Sequence, residues 1–97
     1  MKVVINTCYG GFGLSEEARE RYVELTGSKP THWYDMNRAD KYLVQVVEEL
    51  GAAADGPHAK LKVVNVEGGS LFRINEYDGY EEIEYRDIDV SWVLAVD

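Results

Sequence analysis

The chain has 97 residues with 45% hydrophobic and 29% charged content, which describes one globular domain over 1–97, large enough to bury a core without a metal or disulfide staple. Eighteen acidic against ten basic residues leave a net charge of −8, which opposes direct binding to nucleic acid or to an anionic membrane. A single cysteine excludes an internal disulfide and a cysteine-rich zinc site, and no run approaches the ~18 apolar residues of a membrane span, so a soluble, cytoplasmic protein is expected.

The first apolar run, 2–8 (KVVINTC), is short and β-branched and reads as a buried central strand. It leads into Cys8-Tyr9-Gly10-Gly11-Phe12-Gly13-Leu14-Ser15, a bend that holds three glycines and two rings. Ser15 is placed to cap a helix over 15–26, with Glu16 and Glu17 in the first turn, where the helix dipole favours acids. Ala18, Tyr22 and Leu25 share one face of that helix, and Gly27 and Pro30 stop it. Residues 28–38 form a loop that gathers His32, Trp33 and Tyr34. Asp40 caps a second helix over 40–54, whose buried stripe is Leu43, Val46, Val47, Leu50 and Ala54. Gly51 interrupts it, but the alanines beyond are strong helix formers, so the expected stop is Asp55-Gly56-Pro57.

A strand follows over 59–66, and Gly68-Gly69 turns the chain. Asp78-Gly79 is a two-residue hairpin turn of the I′ kind, joining strands over 71–77 and 80–86. Its register sets Ile74 against Ile83 and Phe72 against Tyr85 on one face, and Arg73 against Glu84 on the other; a slip of one residue would destroy all three pairs. Glu76 opposite Glu81 is a like-charge pair with no visible reason. The tail, 88–96, alternates, with Ile88, Val90, Trp92, Leu94 and Val96 on one face. It is either a bent continuation of the preceding strand or a strand that pairs with a second chain, which leaves a homodimer or higher homo-oligomer open. The expected fold is α+β: an antiparallel sheet in the order β-α-α-β-β-β plus the C-terminal strand, with two helices packed on one face.

Three sites compete. A strand, a glycine-rich turn and a helix N-terminus are the parts of an anion site, although no phosphate-loop motif is present, Glu16 and Glu17 would repel phosphate, and a tight β–α turn is the commoner reason for such glycines. The candidate ligand-binding residues are Cys8, Tyr9, Gly10, Gly11, Phe12, Gly13 and Ser15 from the bend, joined by Trp33, Tyr34 and Arg38 from the loop, where rings and a guanidinium clamp a planar anion. The alternative is an acidic stripe for a basic protein surface: Glu76, Asp78, Glu81, Glu82, Glu84, Asp87 and Asp89. The third is an enzyme with Cys8 as nucleophile, for which no base is visible nearby; a small buried cysteine is the commoner role for such a residue. Two lone histidines give no metal spacing, so no metal and no cofactor are expected, and no catalytic residue is assigned.

Cys8 to Ser15 (CYGGFGLS), Arg38-Ala39-Asp40, residues 43–51 (LVQVVEELG), 59–64 (AKLKVV) and 76–79 (EYDG) together resemble a family of small proteins encoded by tailed bacteriophages and prophages. The resemblance covers residues 1 to about 85. This chain departs from the family in carrying Lys41 where a proline is common, and in its longer apolar tail. The family brings no assigned active site. The resemblance implies a phage accessory protein acting against host defence in the bacterial cytoplasm. Its partner would be either a small nucleotide-like molecule, an immune signal sequestered without catalysis, or a host nuclease or defence effector met through the acidic stripe.

Overall fold

Strand β1 (Lys2–Asn6) is buried on both of its faces, and the rest of the chain is layered around it. The computed structural model describes residues 1–86 and 93–95. After β1 come α1 (Glu16–Thr26), α2 (Lys41–Leu50), β2 (Leu61–Asn65), β3 (Leu71–Tyr77), β4 (Tyr80–Arg86) and β5 (Val93–Leu94), with short 3₁₀ turns at Trp33–Asp35 and Gly51–Ala54. The fold is the expected antiparallel α+β arrangement.

Side-chain alternation along β1 explains the layers. Val4 points to the helices, into a cluster with Leu14, Ala18, Tyr22, Leu43 and Val46. Val3 and Ile5 point the other way, to Val66, Phe72 and Ala95. A strand that is apolar on both faces needs cover on both. The antiparallel β1–β2 ribbon is therefore the middle layer, with α1 and α2 on one side and the sheet of order β4-β3-β5 on the other. The strands are thus divided between two sheets.

The caps are those the residue types favour. The Ser15 hydroxyl accepts from the Ala18 amide at 3.1 Å, and Gly27 closes α1 in the left-handed conformation. Asp40 accepts from the Tyr42 amide at 2.8 Å and from the Tyr22 hydroxyl at 2.6 Å, so one carboxylate caps α2 and ties it to α1. Helix α2 is shorter than its expected span. Gly51 takes φ 57°, which ends the α-helix at Leu50, and a 3₁₀ turn carries the chain on to the buried Ala54. Strand β1 likewise stops at Asn6 and not at Cys8, because the Asn6 amide group donates to the Cys8 carbonyl at 2.6 Å and turns the chain there.

The hairpin has the expected register, with Ile74 opposite Ile83, Phe72 opposite Tyr85 and Arg73 opposite Glu84. Asp78 and Gly79 both have positive φ, 51° and 91°, as a I′ turn requires. In the tail, Val93–Leu94 pairs antiparallel with β3 of the same chain, Leu94 opposite Leu71 and Val93 opposite Phe72. The other positions of the expected tail strand, 88–92 and 96, lie outside the described residues.

Candidate functional site

Everything around the glycine bend is anchored by Asn6, which is fully buried. Its side-chain amide donates to the carbonyls of Cys8 and Gly79, at 2.6 and 2.7 Å, and its side-chain oxygen accepts from the Lys60 amide at 2.8 Å. One asparagine thereby joins the bend, the hairpin tip and the entry to β2. A buried amide left unsatisfied would cost about 1–3 kcal/mol, so this complete set makes the junction specific.

The Asn6 backbone N–H donates to Glu81 Oε1 at 2.8 Å, and Arg38 Nη1 donates to the same oxygen at 2.5 Å. Both charged side chains are largely buried, 17% exposed for Arg38 and 7% for Glu81. Glu81 lies on the inward face of the hairpin, toward β1, which accounts for the acid that appeared to repel Glu76. The Arg38 guanidinium also lies over the Phe12 ring, 3.6 Å from its centroid. A stack thus runs Glu81–Arg38–Phe12, from β4 to the second half of the bend.

Beyond Phe12 the surface opens. A hollow of about 360 Å³ is bordered by Phe12, Gly13, Arg19, His32, Trp33 and Tyr34, with Leu14 and Thr31 completing its wall. Trp33 is held edge-on against Tyr22, with ring centroids 5.7 Å apart, and the His32 and Tyr34 rings lie 5.2 Å apart. Arg19 Nε donates to the Leu14 carbonyl at 3.2 Å, which fixes the guanidinium at the rim. Among the described residues no carboxylate pairs with Arg19. The Tyr22 phenol behind Trp33 is pushed up to about 12, chiefly by burial and then by its hydrogen bond to Asp40.

The structure therefore divides the residues singled out from the sequence. Phe12, Gly13, Trp33 and Tyr34 come together around one hollow. Arg38 is near them but is engaged by Glu81, so it positions Phe12 and is not free to meet a phosphate. Tyr9 is turned outward, 64% exposed, and stacks on Tyr80 at 5.3 Å. Gly10 and Gly11 are not part of the hollow's lining: a Cβ on Gly10 would collide with the His58 carbonyl, while Gly11, at φ 104°, has open space where its own Cβ would be and Gly79 packed against its amide. Ser15 has its hydroxyl committed to the Ala18 amide and the Ala53 carbonyl. Cys8 is a half-buried free thiol.

Of the acidic set, Glu76, Asp78 and Glu82 are exposed, Glu84 pairs with Arg73 at 3.3 Å, and Glu81 is buried in the stack. Asp87 and Asp89 lie outside the described residues. Arg19 and His32 are the site residues that sequence reasoning missed. An arginine on a charged helix carries no sign of which loop packs over it. His32 was grouped with its aromatic neighbours, but its ring contact with Tyr34 depends on the loop's fold.

Among the described residues no cluster of histidine, cysteine, aspartate and glutamate could hold a metal ion, and no helix is long and apolar enough to cross a membrane. Comparison of the chain with protein-family models, with curated proteins and with solved structures finds no match.

Proposed function

We propose that the chain is a non-enzymatic phage accessory protein that sequesters a planar, anionic, nucleotide-like molecule in the bacterial host cytoplasm. The hollow beside Phe12 is its seat. One observation carries the reading: four residues with aromatic rings, Phe12, His32, Trp33 and Tyr34, border the same hollow as Arg19. A base stacks on rings of this kind, and a phosphate takes charge-assisted hydrogen bonds from a guanidinium. The volume lies near the lower end of the range of about 300–1,000 Å³ typical of small-molecule sites.

Calorimetry against AMP, cyclic nucleotides and ADP-ribose tests this. Heat is expected with at least one of them, and Phe12→Ala and Arg19→Ala should each weaken that binding by about tenfold or more. Absence of heat across the panel, with protein at roughly 50 μM, would contradict the reading for any affinity that matters to a sequestering protein.

A second reading rests on a different surface. Tyr9, Tyr77 and Tyr80 are exposed around the hairpin tip, beside the exposed Glu76, Asp78 and Glu82. Tyrosines supply contact area and carboxylates supply attraction for a basic host nuclease or effector. This binding would weaken with salt. Reversal of Glu76, Asp78 and Glu82 to lysine should abolish it, and inhibition that persists after the reversal would exclude this surface.

A further inference from the structure

A second hollow, also about 360 Å³, adjoins the first at Arg19 and Trp33 and is bordered further by Glu16, Glu20, Val23 and Lys29. The two hollows share Arg19 and Trp33 as walls. The reason is helical geometry. Glu16, Arg19, Glu20 and Val23 follow the i, i+3, i+4, i+7 spacing and form one face of α1, while Ala18 and Tyr22 are buried in the core. The loop lays Trp33 against that face, so the indole and the guanidinium become the divide between an aromatic chamber and a chamber with two carboxylates and an ammonium.

We propose, building on the reading of the first hollow as a nucleotide site, that the ligand spans both chambers: a nucleobase among the rings, a phosphate linkage at Arg19, and a hydroxyl-rich sugar at Glu16 and Glu20. The natural class is a nucleoside diphosphate that carries a second sugar. Carboxylates accept hydrogen bonds from sugar hydroxyls but repel a terminal phosphate, which Lys29 offsets only in part. A nucleoside triphosphate of similar reach is therefore disfavoured, although its base and first phosphate fit the first chamber equally. Each hollow has about 360 Å³, and the two together remain within the usual range of ligand volumes, about 300–1,000 Å³.

The test is a set of calorimetric titrations of the full chain with AMP, ADP-ribose and ATP. ADP-ribose should bind at least about tenfold tighter than AMP and tighter than ATP. In a Glu16→Ala, Glu20→Ala double variant, the ratio of ADP-ribose to AMP affinity should fall toward one, and ATP should gain on ADP-ribose. Both acids are exposed on the helix surface, so the double variant is expected to fold. If AMP and ADP-ribose bind equally to the unaltered chain, or ATP binds as well as ADP-ribose, the two-chamber ligand is refuted while the nucleotide site stands. If none of the three binds, the two-chamber ligand is refuted, and the nucleotide site falls with it unless a cyclic nucleotide binds.

Discussion

Both halves of the glycine bend take close backbone packing, but only the second also borders a hollow. In the first half, Cys8 to Gly11, the small residues let other backbone come close. The His58 carbonyl packs onto Gly10, Gly79 of the hairpin packs onto Gly11, and Asn6 bonds the junction together. In the second half, the Gly56 backbone packs onto Gly13 and its N–H donates to the Gly13 carbonyl at 3.0 Å, but Gly13 and Phe12 also border a hollow. Glycine content therefore does not report a ligand site by itself. What separates the halves is that Phe12, Gly13 and Leu14 line the hollow and Cys8 to Gly11 do not.

The largest effect should come from the stack that joins the halves. Glu81→Ala strands the Arg38 guanidinium in a largely buried site, and the loss should be about 3–5 kcal/mol in chemical denaturation. A loss below about 1 kcal/mol would mean that the stack does not hold the bend. Gly79→Ala comes next, at about 3 kcal/mol, because the added methyl combines a positive φ of 91° with collision against backbone on two sides.

Tyr22→Phe removes a hydrogen bond to the Asp40 carboxylate behind the hollow and should cost about 2 kcal/mol at neutral pH. Its pH dependence follows from the phenol's position. With the folded-state value raised from 10.0 to about 12, the stability that this group contributes is complete below pH 10 and is lost as pH rises toward 12. The stability difference between the native chain and Tyr22→Phe should therefore shrink across that window, as followed by urea denaturation at stepped pH. Gly13→Ala is the smallest, within about 1 kcal/mol, since it adds a methyl to open space. A large loss there would mean that the space beside Gly13 is not open.

Much of the fold was legible because its signals are local. The Asp78-Gly79 turn, the pairs it brings together and the Ser15 and Asp40 caps each depend on residues a few positions apart. Gly51 was harder, since helix-favouring alanines beyond it compete with a glycine that takes positive φ, and the glycine prevails for the α-helix. The division into two sheets follows from β1 being apolar on both faces, a pattern that shows burial but not what provides it.

The site was less legible because its decisive contacts are distant in sequence. Arg38 and Glu81 are 43 positions apart, and each alone resembles a free surface charge. Read separately, Arg38 is a ligand clamp and Glu81 is part of an acidic stripe; paired, they neutralise each other and support Phe12. Arg19 is the converse, an ordinary helix-surface residue until the loop folds over it.

The division of the bend is tested most directly by backbone amide and indole NMR shifts during titration with the nucleotide that gives the strongest calorimetric signal. Saturable shifts should be concentrated at Phe12, Gly13, Arg19 and the Trp33 indole, with Gly10, Gly11 and Gly79 nearly still. Shifts centred on Tyr9 to Gly11 and the hairpin tip, or none at saturating nucleotide, would contradict the account.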